Sequence, residues 1–270
     1  MPFPAQTPTD AQARLKADSN LLAQHLQPPW ARACSVCDHP HTSQPEAKDF
    51  GVSGSDPFEG RRVFADHGVG IGYQQCLGCG FTFTSAFDAW TPDEWRAHVY
   101  NHDYALADPP FLRERPERNA QMLAALFHRE LPKLRVLDIG GGQGRLAEAL
   151  RQAGAQAHTM DPFHDAHSHK PDGVYELITS FEVIEHVPHQ GQHAWMQEAA
   201  RHLSHQPCAR MLIGTELRQA QHSLDWWYIC PRNGHVSIHT EQSLGILAAQ
   251  AGLKLTSINP SMHLLMRDAT

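Results

Sequence analysis

The chain lacks the features that are typical of nucleic-acid-binding and membrane proteins. Its 22 Lys and Arg residues are outnumbered by 29 Asp and Glu residues, and the formal net charge of −7 provides no basic field for a nucleic acid. No apolar run approaches the length of a membrane-spanning helix. Residues 1–8 lack the charged and apolar regions of a secretion signal, so we expect a cytoplasmic protein without a membrane partner.

A glycine-rich turn is the most informative feature of the sequence. Arg135 to Ile139 form an apolar, β-branched stretch that predicts a buried strand, and Gly140, Gly142 and Gly144 follow it before a segment with helical spacing. Strand, glycine turn and helix form a nucleotide site in α/β proteins, because glycines let the backbone approach the ligand. The third glycine of a dinucleotide fingerprint would fall on Arg145, so that fingerprint fails. A plain tight turn is the alternative.

An acid two residues before alternating glycines, Asp138-x-Gly140-x-Gly142-x-Gly144, resembles the first motif of the class I S-adenosylmethionine-dependent methyltransferases. The resemblance covers roughly the last 160 residues and implies an α/β, Rossmann-like sheet with helices on both faces. It also implies S-adenosylmethionine as the cofactor, with an acid after the second strand that accepts the ribose hydroxyls. The residues that it implies for cofactor binding are Asp138, Gly140, Gly142, Gly144, Asp161, Phe181 and Glu182.

The segment that leaves the predicted fourth strand carries our first candidate for a catalytic base, His186. If the segment is helical, Glu182, Glu185 and His186 share one face and suit a divalent cation such as Mg²⁺, Mn²⁺ or Zn²⁺. This pattern is similar to the E-x-x-E-H of quinone-biosynthesis O-methyltransferases, in which it binds a metal. The alternative is that the glutamate and histidine make hydrogen bonds beside the cofactor.

A second segment, residues 225–239, contains three adjacent aromatic residues that would be costly to expose. We expect it to cover the substrate or to pack against the N-terminal module. Tyr228, His235 and His239 are the reserve candidates for the base.

Two C-x-x-C pairs predict a structural zinc site. Cys34, Cys37, Cys76 and Cys79 would supply four thiolates and leave no open position for catalysis. Disulfides are the alternative. The remaining two cysteines are expected to be buried thiols. A cysteine-bearing module before this core also resembles the sugar C-methyltransferases in module order.

The predicted organisation is an N-terminal tail with an accessory helix (1–30), a zinc-binding module (31–105) and a methyltransferase domain (106–270). Helices preceding the first strand often close over the cofactor in the resembled family, so Tyr104, Arg113 and Arg115 are further candidates to touch it. We expect methyl transfer to oxygen or carbon of a small molecule, such as a sugar-derived or specialised metabolite. The alternatives are a zinc-assisted RNA methyltransferase and a non-catalytic cofactor-binding protein; the oligomeric state is left open.

Overall fold

The computed structural model describes residues 33–164, 168 and 171–268. The accessory helix that the sequence predicts within residues 1–30 lies outside this range. Across the described residues, no helix is both long and apolar enough to pass through a membrane. The predicted cytoplasmic location stays a prediction.

The strands of the described chain form two separate sheets. In chain order the strands are β1 (Glu46–Asp49), β2 (Gly70–Gln75), β3 (Thr82–Phe83), β4 (Arg135–Ile139), β5 (Gln156–Met160), β6 (Leu177–Phe181), β7 (Arg210–Gly214), β8 (Ser237–Ile238), β9 (Leu253–Asn259) and β10 (Met262–Arg267). The helices are α1 (Asp56–Glu59), α2 (Pro92–His98), α3 (Tyr104–Ala107), α4 (Glu114–Leu126), α5 (Arg145–Gln152), α6 (Gln192–His202) and α7 (Glu241–Gln250).

The larger sheet has the strand order β5-β4-β6-β7-β10-β9. Its first four strands are parallel, and β10 runs antiparallel to both β7 and β9. Most residues of β4 and β6 are buried, as expected for parallel strands with helices on both faces. The Rossmann-like fold class is therefore confirmed. The stretch from Asp161 to Tyr175 is short for a helix and a further strand, so we expect an abbreviated third strand or none; in the described part of the chain no strand lies outside β5.

The smaller sheet is antiparallel, with the order β1-β2-β3-β8. Its second and third strands flank the second cysteine pair, as the alternating residues predicted. Its fourth strand comes from the C-terminal part of the chain, where Thr82 pairs with Ile238. The segment 225–239 therefore packs on the N-terminal module. The predicted domain boundary at residue 105 stays a prediction, and the smaller sheet contains strands from both sides of it.

Local signals place several helices correctly. A threonine followed three residues later by a glutamate predicts a capping box, and Thr91 and Glu94 form one at the start of α2. Thr240 caps α7 through the backbone N–H of Ser243, and Gly252 follows that helix with a left-handed backbone. The apolar spacing of Met122, Leu123, Leu126 and Phe127 predicts one helix over residues 113–131, but α4 ends earlier, at Leu126.

Candidate active site

The glycine turn after β4 needs its glycines for conformation and for space. Gly140 and Gly142 have φ angles of 73° and 57°, which side-chain-bearing residues rarely adopt. A Cβ on Gly140 would lie 2.5 Å from a methyl group of Val183. The N–H of Gly142 donates to Asp161 at 2.8 Å, so the turn is tied to the end of β5. This arrangement brings the backbone to the carboxyl edge of the sheet, where ligands of α/β proteins bind.

Asp138, the last acid of β4, carries one satisfied and one unsatisfied carboxyl oxygen. Its Oδ1 accepts a hydrogen bond from Thr179 at 2.7 Å, whereas Oδ2 is buried with no partner among the described residues. A Cβ on Gly141 would lie 2.0 Å from Oδ2, so this third glycine leaves room for the carboxylate. Burial raises the pKa of Asp138 to about 7. A buried acceptor without a donor is an unfavourable arrangement that a cationic ligand would relieve.

Asp161 lies directly after β5 and organises the turn around it. Its Oδ2 accepts from Gly142, and its Oδ1 accepts from the N–H of Phe163 at 2.8 Å and faces His164 Nδ1 at 3.2 Å. Burial alone would raise the pKa of this carboxyl, but the hydrogen bonds from His164, Phe163 and Gly142 lower it overall. The side chain is therefore an anion at neutral pH.

Three cavities meet around Glu182, the residue that follows β6. A small cavity of about 80 Å³ lies against the glycine turn and is also lined by Asp138, Arg115 and Phe181. A large cavity of about 790 Å³ extends from Asp161 past the aromatic rings of α2 and the chain beyond it. A third cavity of about 290 Å³ lies on the other side of Glu182. Its lining residues include Phe58, Asp108, Arg115, Trp227, Tyr228 and His235.

Glu182 has a strained backbone and belongs to a buried hydrogen-bond network. Its φ angle is 55°, one of two positive values outside glycine in the described residues. Tyr228 OH lies 3.1 Å from Glu182 Oε2 and 2.6 Å from Glu185 Oε1, and Thr215 donates to the other Glu185 oxygen at 3.0 Å. Burial raises the pKa of both carboxyls, and the charge of Glu182 raises that of Glu185 further.

The candidate bases His186 and His235 lie next to each other, with ring centroids 4.8 Å apart. His186 Nδ1 lies 3.2 Å from the carbonyl oxygen of Gly234, and His235 Nδ1 lies 2.7 Å from that of Tyr228. A carbonyl can only accept, so Nδ1 carries the hydrogen in both rings and Nε2 is the unprotonated nitrogen. Burial lowers the pKa of His186 to about 4 and that of His235 well below its usual value, so both rings are neutral at pH 7.

Of the remaining residues that the sequence predicted for the site, only some line it. Gly144 starts α5 with φ 76° and lines a different cavity, beside α5. His239 lies outside the cluster, because its two ring nitrogens bond Ser243 and Gln192. Arg113 points to solvent and pairs with Glu117, whereas Tyr104 and Arg115 do line the site. The segment predicted to be helical forms only one 3₁₀ turn, at Ile184–His186, so Glu182 does not share a helical face with Glu185 and His186.

Sequence reasoning did not select Asp108 and Asn119 as site residues. Asp108 lines two of the three cavities and holds Arg115 through two hydrogen bonds of 2.7 and 2.8 Å. The sequence Asp108-Pro-Pro-Phe111 resembles a catalytic tetrapeptide of amino-group DNA methyltransferases, but we interpret it as a proline turn because it does not follow the fourth strand. The structure has a 3₁₀ turn there. Asp108 precedes this turn and Arg115 lies in the first turn of α4, so the pair joins two separate elements and no sequence signal pointed to it.

The four cysteines of the two C-x-x-C pairs converge. The Sγ atoms of Cys34 and Cys79 are 3.8 Å apart, and those of Cys37 and Cys76 are 3.6 Å apart. All four sulfurs lie within 4.8 Å of one another. The predicted disulfide alternative is not formed, since all cysteines are free thiols. The prediction that the other two cysteines are buried holds for Cys230 and is wrong for Cys208, which is exposed.

A parallel sheet with a glycine turn after its first strand and a carboxylate after its second suits a nucleoside-containing cofactor at the carboxyl edge of the sheet. A sequence model described as a methyltransferase domain matches residues 111–258, more than half of the 270 residues. The chain belongs to this methyltransferase family.

Two solved methyltransferase structures are similar to the chain. Human N-acetylserotonin methyltransferase in complex with S-adenosylmethionine is 14% identical, with 68% of this chain and 61% of that chain covered and a TM-score of 0.50. Magnesium protoporphyrin IX methyltransferase from Synechocystis PCC 6803 with bound S-adenosylmethionine is 17% identical, with 67% and 93% covered and a TM-score of 0.43. No curated protein sequence matches the chain.

Proposed function

We propose that this enzyme transfers the methyl group of S-adenosylmethionine to an oxygen or carbon of a small polar molecule, with sugar-derived and other specialised metabolites as the leading class. The observation that best supports this function is that two cavities share Glu182, Asp108 and Arg115 in their walls. One lies against the glycine turn, and the other is lined by a histidine, a tyrosine and carboxylates that suit a hydroxylated acceptor.

The residues of the glycine turn fit the cofactor. Asp138 Oδ2 is a buried acceptor without a donor, and it lies where the resembled family holds the amino-acid end of the cofactor. Oδ1 of the ionised Asp161 is occupied by Phe163 and His164, but Oδ2 accepts only from Gly142 and can accept from one ribose hydroxyl as well. Phe163 and Tyr100 supply aromatic surface to the same large cavity. These residues would hold the cofactor in the turn and its neighbouring cavity.

When bound, the sulfonium of S-adenosylmethionine supplies a methyl group that is already activated. The chain must therefore orient the acceptor, exclude water and manage a proton. His186 and His235 are the groups available for the proton, since Nε2 of each is unprotonated. Tyr228 is held by two buried carboxylates and positions the segment that carries His235.

The four cysteines would hold a structural zinc ion. Tetrahedral coordination with Zn–S bonds of about 2.3 Å requires sulfur–sulfur distances of about 3.8 Å. The observed distances of 3.8 and 3.6 Å agree with that requirement. Backbone N–H groups of Val36 and Gly78 donate to Cys34 and Cys76, so each pair forms a turn that directs its sulfurs inward.

Calorimetric titration tests the cofactor assignment. The wild-type protein should bind S-adenosylmethionine with a Kd of about 1–100 μM and should not bind NAD. Asp161→Asn should bind the cofactor at least about tenfold more weakly, because a hydrogen bond to a charged group contributes about 1.5–3 kcal/mol. The matched control is Asp93→Asn, at a carboxylate that is 93% exposed on α2. Binding of NAD, or unchanged affinity in Asp161→Asn, would contradict the proposal.

Transfer of labelled methyl groups tests the acceptor class. Pools of nucleotide-linked sugars, phenols and RNA should give label in a small molecule. Label in RNA would support the zinc-assisted RNA methyltransferase instead, which the net charge of −7 does not favour. Tight cofactor binding without label in any pool would support a non-catalytic cofactor-binding protein.

A further inference from the structure

Three metal-ligating side chains meet where the cavities of the site adjoin. They are Glu185, His186 and His235, whose ligand atoms all lie within 4.8 Å of one another. His186 lines the large cavity, and His235 lines the cavity of about 290 Å³, which we call the acceptor cavity. Glu185 and His186 come from the loop after β6, whereas His235 comes from the segment before β8, so the cluster depends on the tertiary fold.

Both histidines present the nitrogen that a metal requires. A metal binds the unprotonated nitrogen of a neutral imidazole, and the other ring nitrogen usually donates to a carbonyl or carboxylate that fixes the ring. Here the second nitrogen of each ring is held by a backbone carbonyl, Gly234 O for His186 and Tyr228 O for His235. Backbone carbonyls are positioned by the fold, so both rings are oriented before any ligand binds.

Glu185 completes the set as the anionic ligand. Its side chain is fully buried and its two oxygens are fixed by Tyr228 and Thr215, at 2.6 and 3.0 Å. Each carboxylate oxygen has further lone pairs. His186 Nε2 lies 4.0 Å from Glu185 Oε1, a separation that one ion with bonds of about 2.1 Å can span. The carboxyl group of Glu182 contacts the same tyrosine hydroxyl at 3.1 Å, so a second carboxyl group lies close to the cluster.

We infer that Glu185, His186 and His235 bind one first-row divalent transition-metal ion, separate from the four-cysteine site. Two imidazoles and one carboxylate favour Mn²⁺, Fe²⁺, Co²⁺ or Zn²⁺ over Mg²⁺, and three ligands leave positions open. This set replaces the one that the sequence predicted, in which Glu182 took the place of His235.

The open positions adjoin the acceptor cavity. An ion there would hold a hydroxyl or enol oxygen of the acceptor and lower its pKa. With the ion bound, His186 and His235 act as its ligands instead of taking the acceptor proton, and the proton of the bound hydroxyl would be released to water. This role, though not the binding of the ion, rests on the proposed function.

The test is metal binding by the full chain with its cysteine site already filled with Zn²⁺. Mn²⁺ and Co²⁺ are titrated separately, and bound ion is measured by electron paramagnetic resonance for Mn²⁺ and by elemental analysis after dialysis for Co²⁺. Hard Mn²⁺ does not favour a four-thiolate site, so its binding reports the new site. Wild type should bind one further ion per chain. Glu185→Gln and His235→Asn should weaken that binding by at least about tenfold.

His239→Asn is the matched control, because His239 is a buried histidine of the same region whose nitrogens bond Ser243 and Gln192. It should bind the further ion as wild type does. Retained zinc and an unchanged circular dichroism spectrum identify variants that fold. Absence of a further ion in wild type, or equal binding by folded Glu185→Gln and His235→Asn, would overturn the inference. Titration of the same proteins with S-adenosylmethionine is a separate readout, so failure of the cofactor proposal would be seen independently.

Discussion

The protonation state of Asp138 should control both stability and cofactor affinity near neutral pH. Its carboxyl is buried, with Thr179 as its donor on one side and no partner for Oδ2 in the described chain. Burial raises its pKa from 3.8 to about 7. A shift of this size corresponds to about 4 kcal/mol in the relative free energies of the two protonation states.

The sign of the stability effect follows from proton binding. Between pH 3.8 and about 7 the unfolded chain has released this proton and the folded chain retains it, so stability falls as the pH rises through that range. Asp138→Asn cannot ionise. Its free energy of unfolding, measured with urea, should therefore fall less as the pH rises. The difference in this free energy between the variant and wild type should shift in favour of the variant by a few kcal/mol from about pH 4 to about pH 8.

The cofactor should couple to the same titration. If the ionised carboxylate receives the ammonium group of S-adenosylmethionine, the Kd measured by calorimetry should be about tenfold lower at pH 8 than at pH 6, because the ionised fraction rises by that factor around a pKa near 7. In Asp138→Asn the affinity should be weaker and nearly independent of pH. A wild-type Kd that does not change between these two pH values, together with identical urea profiles of both proteins, would refute the reasoning.

Four further predictions concern single residues. Gly140→Ala should unfold at lower urea and bind S-adenosylmethionine poorly, whereas Gly252→Ala, with a similar φ of 71° and nothing within 4 Å of the added Cβ, should show only the backbone effect of about 1–2 kcal/mol. Cys76→Ser should lose zinc in elemental analysis and melt at lower temperature; zinc retention would contradict the four-thiolate site. Tyr228→Phe removes the hydroxyl that lies against both buried carboxyl groups, while Thr215 still donates to Glu185, and should reduce the free energy of unfolding by about 1–3 kcal/mol; an unchanged value would show that the hydroxyl is not needed. His186→Ala should lose turnover while calorimetry shows intact cofactor binding, and unchanged turnover would remove its role.

The glycine turn and the sheet could be predicted because each depends on local sequence. Positive φ angles favour glycine, and buried parallel strands favour stretches rich in apolar residues, such as Arg135–Ile139. The cysteine cluster was predictable for a similar reason, since each C-x-x-C pair forms its own turn. The order of these elements along the chain was then enough to identify the family.

The composition of the site was less predictable because it depends on long-range packing. The approach of His235 to His186 joins a loop after β6 to a segment that pairs with the N-terminal sheet, and no periodicity in the sequence encodes that contact. The same packing excludes His239, which looks equivalent to His235 in the sequence but faces Gln192 in the core. Glu182 likewise left the predicted helical face because its positive φ ends the strand before a single 3₁₀ turn.

The pairing of β3 with β8 has a consequence for synthesis of the chain. Thr82 leaves the ribosome early, but its partner Ile238 follows about 150 residues later, a delay of roughly 8–30 s at elongation rates of about 5–20 residues per second. During that interval the nascent N-terminal module has an open strand edge and uncovered aromatic side chains, including Phe50 and Trp95, that later pack against the segment around Ile229. Early binding of zinc by the two cysteine pairs would stabilise the module until β8 is synthesised and pairs with β3. Slow translation or zinc shortage should therefore lead to aggregation of nascent chains rather than of the finished enzyme.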